Sequence, residues 1–113
     1  MLPKNFRLKK KYQFNYIYHK GKSSHVKELT LFYAKSKNSK MRIGFSVSKK
    51  YGNSVERNKI KRIFREVVRS ILNNLDAEYN YIFVIKPEAK DKEYDQILKI
   101  VNNILARNGL VKV

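Results

Sequence analysis

Cysteine is absent from the 113-residue chain, and no run of apolar residues approaches the length of a membrane span. Without cysteine there is no disulfide framework and no thiolate chemistry, which favours a reducing compartment. The first residues are not followed by the apolar core of a signal peptide, so we expect a cytoplasmic protein. The length suits one domain over residues 1–113, built around a single core.

Acidic residues are also scarce, with nine against 26 lysines and arginines, which gives a net charge of +17. All of the excess lies before Ser70, because residues 76–113 carry six bases and six acids. A charge that served only solubility would not stop so sharply, so we infer a polyanionic partner. RNA, DNA and anionic membranes are the candidates. A membrane-surface helix needs a free apolar face, and the apolar stripes of this chain are needed for its core, so membrane is the weakest of the three.

The chain has no constellation that is typical of a protein active site. Its densest acidic segment straddles a loop and a helix start, where acids are expected for capping: Glu88, Asp91, Glu93 and Asp95. The two histidines, His19 and His25, lie on a helix end and a loop beside many lysines, and four scattered glycines form no phosphate loop. We therefore predict a binding protein with no catalytic residues and no metal site of its own.

The most informative stretch covers residues 47–69 and reads VSKKYGNSVERNKIKRIFREVVR. Asn53 is a good N-cap and Glu56 follows three residues later, as in a capping box, which predicts a helix over residues 54–75. Apolar residues at helical spacing form its core stripe: Ile60, Ile63, Phe64, Val67, Val68, Ile71, Leu72 and Leu75. Cations crowd its first turns, where they oppose the helix dipole. Stability alone does not favour cations there, so we infer that the helix binds a nucleic acid, although a solvated basic face is the plainer interpretation.

Within this stretch, the runs SVSKK (residues 46–50), GN (52–53) and RNKIKRIFRE (57–66) resemble the signature of the protein subunit of bacterial ribonuclease P. The resemblance extends over nearly the whole chain. It implies an α+β fold of element order αβββαβα, in which a small mixed sheet carries three helices. It also implies a left-handed βαβ crossover and a likeness to the second domain of a small-subunit ribosomal protein.

The resemblance also implies a function. In this family the RNA subunit, using Mg²⁺, cleaves precursor tRNA to remove the 5′ leader, and the protein subunit grips the leader and steadies the RNA. The implied partners are ribonuclease P RNA and precursor tRNA, with no membrane and no cofactor held by the protein. Sulfate or phosphate ions are candidate ligands of the basic helix. The alternative is a structural RNA-binding protein of the ribosome, which could share this charge, size and fold.

Carried over residue by residue, the resemblance predicts two sets of contacts. The residues that would contact the leader are Phe14, Tyr18, Thr30, Phe32, Lys50, Arg57 and Asn58. The residues that would contact the RNA subunit are Lys59, Lys61, Arg62, Arg65 and Arg69.

Periodicity predicts the remaining elements. Helices are expected over residues 10–20 and 93–107, with Asp91 as the cap of the second, and strands over residues 28–35, 42–48 and 81–86. We expect the first two strands to pair antiparallel and the third to be central, because its apolar residues are consecutive. A fourth strand, which the resemblance implies, is not visible in the pattern.

Alternation in the second strand assigns the two faces of the sheet. Ile43, Phe45 and Val47 should face the core, while Gly44, Ser46 and Ser48 are too small to fill one. We interpret the small-residue face as a shallow open groove beside Phe32 and the first helix, although a plain solvated sheet face fits the pattern equally well.

Overall fold

The computed structural model describes residues 6–8, 10–37 and 40–111. Within them the elements follow the order α1 (Lys11–Lys20), β1 (Lys22–His25), β2 (Leu29–Lys35), β3 (Ile43–Val47), α2 (Ser54–Ser70), β4 (Tyr79–Ile85) and α3 (Tyr94–Arg107). The predicted α+β class and the order αβββαβα are confirmed. The strand that the pattern did not reveal is β1, whose sequence KSSH is short, polar and mostly exposed, and therefore carries no apolar alternation.

The four strands form one mixed sheet in the order β1–β2–β4–β3. The last strand in sequence, β4, lies between β2, to which it is antiparallel, and β3, to which it is parallel. The prediction that this strand is central is confirmed. The expected pairing of β2 with β3 is wrong, because β4 has buried residues on both faces and takes the position where both faces are covered. The parallel neighbours β3 and β4 are joined through α2, as a βαβ crossover requires.

The main core lies between α2, α3 and one face of the sheet. That face contributes buried side chains from three strands: Leu29, Leu31, Tyr33, Ile43, Tyr81, Phe83 and Ile85. Phe45 and Val47 lie on the same side, as predicted, but they are only half-buried. Phe45 stacks on Phe83 with their ring centroids 5.5 Å apart. The assignment of the two sheet faces is thus confirmed.

The stripe predicted for α2 faces this core, with Ile60, Phe64, Val67 and Val68 buried. The helix ends at Ser70, five residues earlier than predicted, and the chain continues through a short turn, Leu72–Asn74. The cap predicted for α3 is wrong. Asp91 lies in the preceding loop with a left-handed φ of 67°, and Glu93 is the N-cap, donating its backbone N–H to Gln96 Oε1 at 2.9 Å. No described helix is long and apolar enough to cross a membrane.

The opposite face of the sheet is partly covered by α1. A second, smaller cluster of buried residues lies there: Leu8, Ile17, Ala34 and Ile82. Half-buried side chains surround it, among them Phe14, Tyr16 and Phe32. This face is therefore neither a plain solvated surface nor a filled core, and it carries the site described next.

Candidate nucleic-acid interface

Aromatic side chains of α1 and β2 lie over the small-residue face of the sheet, and the surface defined by Phe14, Tyr18, Phe32, Gly44 and Ser46 is here called the aromatic groove. The register places Phe32 and Gly44 in one row, on either side of Ile82 in the central strand. Gly44 allows the ring of Phe14 to lie against the sheet. A Cβ atom built there would lie 2.7 Å from two ring carbons of Phe14, so a side chain at this position would displace the ring.

The three predicted rings of the groove come together in the structure. Tyr18 meets Phe32 edge-on, with ring centroids 4.9 Å apart, and the Phe14 and Tyr18 centroids are 6.5 Å apart. Partial burial raises the pKa of Tyr18, while a side-chain hydrogen bond with Ser46 acts in the opposite direction. The phenol is therefore neutral at physiological pH and adds no negative charge that would repel a phosphate. With 36% of its surface exposed, Tyr18 is the most accessible ring of the groove.

Thr30 is the predicted leader contact that the structure places deepest. It lies two residues before Phe32, on the same face of β2. Unlike Phe32 it is buried, and its Oγ1 is hydrogen-bonded to His25 Nδ1 at 3.1 Å. His25 itself is exposed on the edge strand β1. The predicted loop position of His25 is wrong, because it lies on β1, a polar strand whose sequence shows no apolar alternation.

A basic depression lies between the end of β3 and the first turns of α2. It is lined by Val47, Ser54, Arg57, Asn58 and Lys61. Val47 directly follows Ser46 in β3 but faces the main core on the opposite side of the sheet, so the depression lies at the β3 edge on the side of α2. Lys61, which the resemblance assigns to the RNA subunit, thus shares this surface with two predicted leader contacts. Lys50 is exposed in the short turn Lys49–Tyr51, which links β3 to α2.

The predicted capping box fixes the start of α2 and therefore the position of this depression. Asn53 Oδ1 accepts from the Glu56 N–H at 2.9 Å, and Glu56 Oε1 accepts from the Asn53 N–H at 3.0 Å. The hydrogen bond from the Asn53 backbone lowers the pKa of Glu56, and the ion pair with Lys90, at 3.1 Å, lowers it further. Glu56 is therefore ionised and held by these two partners.

The remaining cations of α2 form a row on its outer surface, defined by Lys59, Arg62, Arg65 and Arg69. Residues three to four apart on a helix are neighbours, so these side chains follow one another along one side. Each is half-exposed or exposed. Arg69 approaches Glu66 at 3.8 Å, an exposed pair that contributes little to stability. The row can contact phosphates over about three helical turns.

Acidic and histidine side chains are dispersed by comparison. In the part of the chain that the structure describes, no three histidine or carboxylate side chains come together in a way that could hold a metal ion. The arrangement of groove, depression and cationic row is suited to binding an extended polyanion with unpaired bases.

Comparison with known proteins agrees with this geometry. A family model described as Ribonuclease P matches residues 2–109. The chain belongs to the ribonuclease P protein family. A ribonuclease P protein component from Clostridium novyi is 40% identical over 111 residues, which cover 96% of this chain and 98% of that protein.

Solved structures of ribonuclease P proteins show the same fold. That of Staphylococcus aureus superposes with a TM-score of 0.87 at 33% identity, covering 96% of this chain and all of that one. The protein from Thermotoga maritima superposes with a TM-score of 0.81 at 23% identity, covering 89% of this chain, and supports the fold alone. Membership of the ribonuclease P family decides between the two interpretations of the sequence, against a structural protein of the ribosome.

Proposed function

We propose that this chain is the RNA-binding subunit of a ribonuclease P ribonucleoprotein, and that it holds the 5′ leader of precursor tRNA in the aromatic groove. The observation that carries the proposal is the contact between the three rings of the groove, together with a depression lined by Arg57 and Lys61 at the end of β3. Rings can stack on unpaired bases of any sequence, at about 1–3 kcal/mol per base, while the cations contact phosphates. A leader of variable sequence calls for contacts of this kind.

The predicted contacts divide between two surfaces that meet at the start of α2. The aromatic groove and the basic depression would hold the leader through Phe14, Tyr18, Phe32, Arg57 and Asn58, with Lys50 at their margin. The outer row of α2 would bind ribonuclease P RNA. Because α2 carries both the basic depression and the outer row, this helix is positioned to align the leader with the RNA subunit.

In this proposal the protein binds and the RNA subunit performs the cleavage. Mg²⁺ held by the RNA would supply the hydrolytic chemistry that separates the leader from the mature 5′ end. The acidic side chains of this chain have other roles that are consistent with such a division: Glu56 completes a cap and pairs with Lys90, and Glu93 caps α3. We place this activity in the cytoplasm of a bacterium, where precursor tRNA is processed.

The test of the groove is the variant Tyr18→Ala, because this ring is partly exposed and its loss should leave the fold intact. With ribonuclease P RNA present, we expect precursor tRNA to bind more weakly by about 1–3 kcal/mol, the contribution of one stacked base. Mature tRNA has no leader, so its affinity should not change. The measurement is the pair of dissociation constants for each variant.

Tyr94→Ala is the matched control, since Tyr94 is 37% exposed and lies on α3, in the charge-neutral part of the chain. It should leave both affinities at the wild-type value. Equal losses for precursor and mature tRNA in Tyr18→Ala would show a general RNA surface and would remove the leader from the groove.

A further inference from the structure

The flank of α1 that faces away from the aromatic groove carries a second set of aromatic and basic side chains. Successive residues of a helix are about 100° apart, so the buried Ile17 divides α1 into two flanks. Phe14 and Tyr18 lie on the flank of the groove. Tyr16 lies on the other flank, and Tyr12 is one turn before it. The groove does not use either of these two tyrosines.

Two neighbouring depressions run along this outer flank. The first is lined by Tyr12, Tyr16, Lys35, Lys37, Arg42 and Asn80. The second is lined by Lys20, Lys22 and Tyr79, and it shares Tyr16 and Lys35 with the first. Because they share two residues, the depressions form one continuous surface, here called the tyrosine–lysine track. An extended ligand fits such a surface better than a single compact molecule.

The fold does not account for the exposure of the rings. Tyr12 has 65% of its surface exposed, more than any other large aromatic side chain among the described residues. Tyr16 packs partly against the small core, but Lys37 Nζ lies 4.4 Å from the centroid of its ring. Lys37 thus occupies the outer face of Tyr16, whereas the ring of Tyr12 is open for a base to stack on, with Lys37 close enough to this surface to contact a phosphate.

The tyrosine–lysine track is positively charged. Five cations line it: Lys20, Lys22, Lys35, Lys37 and Arg42. Glu78 approaches Lys35 at 3.9 Å, but both side chains are largely exposed, so this pair neutralises little of the charge. The ligand that such a surface fits is both anionic and aromatic.

We propose that the tyrosine–lysine track binds an unpaired segment of RNA, several nucleotides long, separately from the leader in the aromatic groove. A base would stack on Tyr12, and phosphates would contact Lys35, Lys37 and Arg42. The proposal rests on the proposed function, because the RNA that occupies the track comes from the ribonucleoprotein or its substrate. Ribonuclease P RNA and the body of precursor tRNA offer the same chemistry, and the experiment distinguishes them.

The test compares the double variant Tyr12→Ala/Lys37→Ala with the control Tyr94→Ala/Lys99→Ala. The control removes the same two residue types from α3, far from the charge excess. Four affinities are measured for each protein: for ribonuclease P RNA, for precursor tRNA and mature tRNA in the presence of that RNA, and for a short single-stranded RNA. Melting temperatures verify that both double variants fold. A further variant, Tyr12→Phe, tests whether an aromatic ring without the hydroxyl group is sufficient for binding.

We expect the track variant to lose about fivefold or more in affinity for the RNA that occupies the track, and Tyr12→Phe to retain the wild-type value. A loss for ribonuclease P RNA identifies that molecule as the source, whereas an equal loss for precursor and mature tRNA identifies the tRNA body. A photoreactive phenylalanine analogue introduced at Tyr12 should crosslink to unpaired nucleotides of the same molecule.

Unchanged affinities for all RNAs, or equal losses in the control, would overturn the proposal. If the wild-type chain failed to bind ribonuclease P RNA but bound single-stranded RNA through Tyr12 and Lys37, the proposed function would fail and the track would stand. If precursor binding depended on Tyr18 but the track variant bound every RNA as the wild type does, the proposed function would stand and the track proposal would fail.

Discussion

At the scale of single residues, Gly44 shows how the absence of a side chain shapes a binding surface. Its Cα lies beneath the ring of Phe14, in the row of the sheet that also holds Phe32. With any other residue at this position, the ring would have to move outward or the helix would have to shift. Phe14 in turn contacts Tyr18, so the placement of the aromatic groove depends on this one position.

Gly44→Ala should therefore damage stability and leader binding together. Overpacking of this kind costs about 1–3 kcal/mol in the free energy of unfolding. We expect the affinity for precursor tRNA to fall while that for mature tRNA is retained, both measured with ribonuclease P RNA present.

The control for this variant is Gly109→Ala. Gly109 has a φ of +68° and open space around its Cα, so alanine there costs roughly 1–2 kcal/mol through backbone strain, away from the groove. Gly109→Ala could instead lower the affinity for precursor tRNA, relative to mature tRNA, as much as Gly44→Ala does. The loss in Gly44→Ala would then result from lowered stability rather than from the position of Phe14.

At the scale of elements, α2 combines a structural and a binding role on two sides. Its apolar side faces the main core, its start is fixed by the Asn53–Glu56 capping box, and its outer side carries the cationic row. Both the helix and its cap were predictable from the sequence, because capping and apolar periodicity are local signals.

The outer row of α2 should account for part of the salt dependence of RNA binding. Each phosphate contact contributes about 0.7–0.9 to the slope of log affinity against log salt. Arg62→Ala should reduce that slope by about this amount for ribonuclease P RNA, as measured by filter binding over a range of salt concentrations.

Lys99→Ala removes an exposed cation from α3 and should leave the slope unchanged. A slope that Arg62→Ala does not alter would exclude Arg62 from the RNA interface.

Other elements could not be predicted from local signals. The edge strand β1 is polar on both faces, and only its pairing with β2 makes it a strand. The apolar run of β4 predicted its central position but not its insertion between β2 and β3, because neighbours in sequence are the usual expectation for pairing. The groove was predictable in part: alternation identified Gly44, Ser46 and Phe32, but the burial of Thr30 beside His25 depended on β1.

At the scale of the whole molecule, the net charge of +17 opposes the compact state. Repulsion among the cations raises the free energy of the folded chain, and bound anions relieve it. The basic depression at the start of α2 combines Arg57 and Lys61 with the positive end of the helix dipole, which is a favourable position for an anion.

Sulfate or phosphate should therefore raise the melting temperature more than chloride does at the same ionic strength. The measurement is thermal unfolding in matched salts, and Arg57→Ala should reduce the difference between them. Identical effects of sulfate and chloride would indicate ionic screening alone, without a preferred anion site.

The order of the strands also has a consequence for the chain during its synthesis. Translation delivers the N-terminal residues first, at about 5–20 residues per second. Within the described residues, β3 pairs along its length with β4 and otherwise only through one bridge between Arg7 and Ile43. The wall that holds Gly44 and Ser46 therefore has no neighbouring strand until residue 85 has been added. Most of the positively charged residues leave the ribosome before the aromatic groove has formed. A nascent chain can therefore attract RNA before it can recognise a leader.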